Sequence, residues 1–260
     1  MDLGIKGKTA LVLASSRGLG QAMAHSLARE GAQVAVTGRN AEGLAQTVKM
    51  IESVGGKALA LNWDLADLNA IHGHVQTIEN QLGPVDILIN NTGGPPPTPA
   101  SGQDPQLWQK SFQEMVLSLM KITDRVLPGM RERRWGRIIT STTSGAIVPI
   151  RNLAISNTLR AALLGWSKTL AAEVAADGVT VNVIMPGRVA TDRLRQLDEA
   201  RAKRENITYD AVVSASLKTI PAGRYGDPKE YGDTAAFLAS QNASYITGSV
   251  IRVDGGQVPS

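Results

Sequence analysis

Short apolar runs alternate with amphipathic stretches from one end of this chain to the other, and that alternation leaves little choice of architecture. The runs cover residues 9–14, 33–37, 58–62, 85–90, 136–141, 179–185 and 249–253. Each has the length of one strand, and all but 58–62 carry β-branched residues. Between them apolar residues recur at three- and four-residue steps. After the fifth run, Leu159, Ala162, Leu163, Trp166, Leu170 and Val174 fall on one helical face. Runs 85–90 and 179–185 are apolar almost throughout, as in strands buried on both faces. Repeated strand–helix units of this kind predict an α/β fold: one doubly wound, seven-stranded parallel sheet flanked by helices on both faces.

Composition narrows the function classes. A chain of 260 residues with 43% hydrophobic content and 26 glycines has ample core and many tight turns. No apolar run approaches the roughly 18 residues of a membrane helix. Residues 10–14 are too short for a signal-peptide core, so a cytoplasmic location is expected. The absence of cysteine excludes disulfides and thiolate chemistry, and no metal site is expected. A net charge of +4 without an aromatic-interleaved basic stripe argues against a nucleic-acid partner and for a small-molecule substrate.

Two segments break the pattern. Gly93-Gly94-Pro95-Pro96-Pro97-Thr98-Pro99 should be a stiff, extended loop, either a connector or a wall of a ligand mouth. Residues 192–221, charge-rich at first, read as one or two helices inserted after the sixth strand. Crevices at the carboxyl ends of such strands bind ligands.

The first run passes into Ala14-Ser15-Ser16-Arg17-Gly18-Leu19-Gly20, and a helix is predicted to begin near Leu19. Glycine lets backbone approach a pyrophosphate, and a helix N-terminus offers unpaired N–H groups and a positive dipole end. A glycine pair alone would equally suit an ordinary turn. The context is more specific: Asp64-Leu65, Asn90-Asn91-Thr92-Gly93, the run from Gly136 to Gly145, Pro186-Gly187, and the C-terminal Tyr245-Ile246-Thr247-Gly248 and Val253-Asp254-Gly255-Gly256. With these landmarks the chain resembles the short-chain dehydrogenase/reductase family over nearly its whole length. The nearest branch is the 3-oxoacyl-acyl-carrier-protein reductase-like one.

The resemblance implies a single Rossmann-type NAD(P)-binding domain over residues 1–260, with 192–221 as a substrate lid. It places Ala14, Ser15, Ser16, Arg17, Gly18, Leu19 and Gly20 in the phosphate turn, and Asp64 and Leu65 beside adenine. Asn91, Thr92, Gly93, Pro186, Gly187 and Thr191 are implied to line the rest of the cofactor site. The family turn reads Thr-Gly-x-x-x-Gly-x-Gly; here Leu13 and Ala14 stand in its first two positions. NAD-preferring members end the second strand with a carboxylate. This chain instead has Val36-Thr37-Gly38-Arg39-Asn40. Arg17 and Arg39 could flank a 2′-phosphate, so NADP(H) is expected in preference to NAD(H).

The family's catalytic asparagine, serine, tyrosine and lysine fall, by the same landmarks, on Met115, Thr143, Ser156 and Arg160. Only Thr143 keeps a comparable hydroxyl, with Thr142 and Ser144 beside it. Ser156 is too short and too weak an acid to replace a phenol. Arg160 remains a cation with several donors, able to hold ribose hydroxyls or an anionic group, and can share a helix face with Ser156. Lys168 lies eight residues further on, roughly 12 Å along the helix, and is no substitute. Tyr225 and Lys229 repeat the Tyr-x-x-x-Lys spacing, but Pro228 between them argues against a helical turn there. Tyr209 could swing in from the lid, and Arg151 and Arg188 could add positive charge near the mouth.

The resemblance and these departures lead to an NADP(H)-dependent oxidoreductase acting between a carbonyl and an alcohol, with Thr143, Ser156 and Arg160 in the catalytic pocket. The alternative is a catalytically silent dinucleotide-binding sensor or partner subunit. Helices around 115–125 and after Ser156 resemble the pair through which family subunits associate, so a homotetramer or homodimer is expected.

Overall fold

The computed structural model describes residues 2–259. In chain order the elements are β1 (Thr9–Val12), α1 (Gly18–Arg29), β2 (Gln33–Gly38), α2 (Ala41–Glu52), β3 (Ala58–Asn62), α3 (Ile71–Leu82) and β4 (Val85–Asn90). They continue as α4 (Pro105–Phe112), α5 (Ser118–Glu132), β5 (Gly136–Ser141), α6 (Ala154–Val174), β6 (Val179–Pro186), α7 (Asp192–Glu205), α8 (Tyr209–Leu217), α9 (Pro228–Leu238) and β7 (Val250–Val253). The seven strands form one parallel sheet in the order β3-β2-β1-β4-β5-β6-β7. Strand order reverses between β1 and β4, and a crevice opens there at the carboxyl ends.

Alternation along each strand builds two cores. Leu11, Leu88, Ile138 and Val181 face a cluster with Val75, Leu119, Ile122 and Leu163 from α3, α5 and α6. Val12, Val36, Ile89 and Ile184 face the other way, onto Met23, Leu27, Ile51 and Ala235 from α1, α2 and α9. The middle strands β4 and β6 are buried at every residue, whereas the edge strands β3 and β7 are not. This is the division that the apolar runs predict.

Three local differences from the sequence reading bear on the site. β1 ends at Val12 rather than residue 14, because Ala14 turns out of the strand with φ 47°. The proline-rich loop is more than a stiff connector. Thr98 N–H donates to Asn152 O at 2.8 Å and Ala154 N–H to Thr98 O at 3.1 Å, which pins the loop to the start of α6. Between α4 and α5 the helix widens into one π turn over Gln113–Leu117, a form often found where a helix must present a side chain out of register.

Candidate active site

The crevice is an open cleft of about 700 Å³ running across the ends of β2, β1, β4 and β5. Its floor is built first by the turn after β1. Ser15 is fully buried: its hydroxyl donates to Val12 O at 2.8 Å and accepts from Thr37 N–H at 2.9 Å. Asn91 Nδ2 donates to Leu13 O and Ala14 O, both at 3.2 Å, and so ties the end of β4 to the same turn. Gly20 must be glycine, since a Cβ there would lie 2.3 Å from Ala14 O. Gly18 takes φ 59°. α1 then starts with no side chain capping its first N–H groups. Those donors face the cleft and suit a pyrophosphate.

Of the expected phosphate-turn residues, Ala14, Ser16, Arg17, Gly18, Leu19 and Gly20 line the cleft. Ser15 does not, because its hydroxyl is spent inside the turn. Pro186 and Gly187 also stand back from the lining. Gly187 serves packing instead: a Cβ there would come within 2.6 Å of Asp254 Cα.

At one end of the cleft lie Arg39, Trp63, Asp64 and Leu65. Arg39 Nη1 sits 3.8 Å from Asp64 Oδ2, an exposed pair that a stronger anion can displace. No carboxylate ends β2; Asn40 caps α2 by accepting from Gly43 N–H at 2.7 Å. Trp63 is buried, stacks on His74 with ring centroids 4.6 Å apart, and leaves its indole N–H without a partner among the described residues.

At the other end, Met115, Ser141, Thr142, Thr143, Ser156 and Arg160 converge. Met115 reaches the cleft from the π turn, and Glu114 beside it does so as well. Thr143 ends an extended segment and accepts from Gly145 N–H at 3.4 Å. Ser156 lies on the first turns of α6 and its hydroxyl has no partner among the described residues.

Arg160, one turn further along α6, is only 7% exposed. Nη1 donates to Ser141 O at 3.1 Å; Nη2 donates toward Thr92 O, Thr92 Oγ1 and Gly93 O at 3.2, 3.4 and 3.3 Å. The guanidinium thus staples the ends of β4 and β5 together, which a single lysine ammonium could not do with the same fork. Burial lowers its pKa to about 10, with Tyr231 opposing the fall and Arg193 adding to it. At neutral pH it remains a buried cation with no carboxylate partner among the described residues. Its Nε makes no hydrogen bond among the described residues.

Tyr231 of α9 lies beneath this end. Its hydroxyl is 2.9 Å from Ser141 Oγ and donates to Ile184 O at 3.1 Å, and burial pushes its pKa up. It supports the floor and keeps its proton. Motif spacing held no sign of it, because its partners lie 90 and 47 residues away.

The lid side differs from expectation. Arg188 does not add free charge to the mouth. Its Nη1 pairs at 2.6 Å with the buried Asp198 of α7, whose other oxygen accepts from Tyr225 O–H at 2.8 Å. Tyr225 thereby anchors α7, and Pro228 starts α9, so the Tyr225–Lys229 spacing crosses a helix start and makes no pair. Tyr209 opens α8, exposed and away from the cleft, and Arg151 is exposed outside it. Lys168 bonds Gly248 O at 3.1 Å, also outside. Thr191, Asp192, Arg193 and Leu197 do reach the cleft from the start of α7. Arg193, Glu114 and Trp63 are among the lining residues that motif spacing missed, as are Leu153, Asp192 and Leu197.

A doubly wound sheet with an uncapped helix, a glycine turn and a long cleft at the switch point defines the dinucleotide-binding class. The family model described as enoyl-(acyl carrier protein) reductase matches residues 13–257. A 3-oxoacyl-(acyl-carrier-protein) reductase of Vibrio harveyi is 35% identical over 257 residues, with 98% of each chain covered. L-sorbose reductase from Gluconobacter frateurii, solved with NADPH and L-sorbose, is 30% identical with a TM-score of 0.93 over 100% of both chains. A single-residue variant of the actinorhodin polyketide ketoreductase, solved with NADPH, gives 28% identity and a TM-score of 0.92, covering 97% of this chain and 98% of that one. The chain belongs to the short-chain dehydrogenase/reductase family, a family of oxidoreductases.

Proposed function

We propose that the protein is an NADP(H)-dependent oxidoreductase that interconverts a carbonyl and an alcohol, using an arginine in place of the family's tyrosine–lysine pair. The observation that carries this reading is Arg160: a buried, uncompensated cation at the floor of the cleft, beside two hydroxyls, with no hydrogen bond at Nε among the described residues. The site fits the cofactor. The free N–H groups of α1 suit a pyrophosphate, and Arg39 marks the 2′-phosphate end, where β2 ends without a carboxylate and Asp64 holds Arg39 only in an exposed pair that a phosphate can displace. The cleft volume is that of a site for a ligand of such size.

NADP(H), when bound, supplies or takes the hydride. Arg160 then stabilises the negative charge that develops on the carbonyl oxygen, an effect strengthened by its dry surroundings. Thr143 and Ser156 hydrogen-bond that oxygen, and the proton comes from cleft water through the Ser156 hydroxyl. Without a phenolic acid the proton step is slower, by about a hundred- to ten-thousandfold relative to a positioned general acid. Helices α7 and α8 act as the substrate lid.

The test is NADPH oxidation with a panel of ketones and 3-oxoacyl thioesters. Arg160→Met should lower kcat about 10²-fold and Ser156→Ala about tenfold, with NADPH affinity nearly kept. Retained kcat in Arg160→Met would overturn the role given to the arginine. A second reading, a silent nucleotide-binding subunit, is favoured by one observation: four of Arg160's contacts go to the chain itself. NADPH binding without turnover of any carbonyl would support it. Exposed apolar side chains such as Phe112, Ile147 and Val148 support an oligomer, and a homotetramer is proposed.

A further inference from the structure

Arg193 has no place in the scheme above, yet it stands over the middle of the cleft. It lies in the first turn of α7, two residues after Thr191. Thr191 brings this turn against the glycine loop, since a Cβ at Gly18 would sit 3.9 Å from Thr191 Cγ2. The starts of α1 and α7 therefore meet across the same stretch of cleft, where α1 leaves its N–H groups uncapped. Among the described residues neither Arg17 nor Arg193 has a carboxylate within ion-pair distance. Among the described residues Arg193 makes one hydrogen bond, from Nη2 to Pro95 O at 3.2 Å.

Although Arg193 is exposed, partial desolvation in the cleft lowers its pKa and the Arg17 charge lowers it further, so the two guanidiniums feel each other. Like charges brought together this way are stable when an anion lies between them. Asp192 is the carboxylate nearest in sequence. It is exposed in the first turn of α7 and forms no ion pair with either arginine among the described residues.

We propose that Arg193 is a cofactor-binding residue which, with Arg17, encloses the pyrophosphate of NADP(H) from the lid side. The inference rests on the NADP(H) reading above and extends it to a residue outside the glycine turn. It separates Arg193 from Arg39. Arg39 meets the 2′-phosphate, which only NADP(H) carries; Arg193 meets the pyrophosphate, which both nicotinamide dinucleotides carry.

The experiment titrates the full chain and its Arg193→Ala, Arg193→Lys and Arg39→Ala variants with NADPH, NADH, ADP and 2′-AMP. The first two are followed by fluorescence and the last two by calorimetry. Arg193→Ala is expected to weaken NADPH, NADH and ADP each by about tenfold (~1.4 kcal/mol) and to leave 2′-AMP unchanged. Arg193→Lys should recover part of the loss, and Arg39→Ala should weaken only NADPH and 2′-AMP. NADPH, NADH and ADP affinities within about twofold of the unmodified protein would overturn the proposal. Loss of 2′-AMP binding in Arg193→Ala would also overturn it, by showing that the residue acts on the fold. An unmodified protein that binds neither dinucleotide would sink the NADP(H) reading itself, which is a different result.

Discussion

Ala14 turns the chain with φ 47° at the edge of the cleft, where the family pattern has glycine. A Cβ in that region costs about 1–2 kcal/mol, and the extra backbone entropy of a glycine offsets about 0.5–1 kcal/mol of the relief. Ala14→Gly is therefore expected to stabilise the protein by about 0.5–1 kcal/mol, read as a higher denaturation midpoint at constant slope. A lower midpoint would mean that the Cβ makes a contact worth more than its strain. Arg160 gives a prediction in pH. Its pKa is depressed from 12.5 to about 10, so losing its proton above that value favours the folded state, and the fold is not lost there through this group. The turnover rate should be level through neutrality and fall as pH passes about 10. A break near neutrality in the pH–rate profile would assign the critical ionisation elsewhere. Spacing made Ser156 and Arg160 legible as replacements. The carbonyls that bind Arg160 were not legible, because Thr92 and Ser141 lie 68 and 19 residues away and only the sheet brings them together.

The lid is anchored by one element, α7. Asp198 is 1% exposed and holds both Arg188 and Tyr225, so it ties the helix to the chain that follows β6 and to the segment before α9. Burial, then the bond to Asp198, raises the Tyr225 pKa, which keeps its proton on that bond. Breaking a buried pair by removing one partner costs about 3–5 kcal/mol. Asp198→Ala should accordingly free α7 and α8 before the sheet unfolds. Hydrogen exchange would show this as lost protection confined to residues 192–217; unchanged protection would deny the anchor. Strands were the most legible elements, since burial on both faces of β4 and β6 demands continuous apolar runs. The π turn at Gln113–Leu117 was not legible, because its period differs from that of an α-helix only over a single turn. The fold of the lid was half legible: helices were expected, but the buried Arg188–Asp198 pair reads in sequence as ordinary surface charge.

At the scale of the molecule, the sheet order β3-β2-β1-β4-β5-β6-β7 opens a cleft whose two ends are electrostatically different. Arg39 and Asp64 mark an exposed, exchangeable end, and Arg160 a dry one. The whole chain also presents apolar side chains that a monomer leaves in water, among them Ile147, Val148 and Ile150. Sedimentation at micromolar concentration is expected to show a tetramer; a monomer at all concentrations would refute the proposed assembly. Everything proposed for the cleft depends most directly on the nucleotide itself. A fluorescence titration of the purified protein with NADPH, run beside NADH, should show saturable NADPH binding and NADH at least about tenfold weaker. Binding of neither nucleotide would contradict the proposed function at its centre and leave the fold without the chemistry assigned to it.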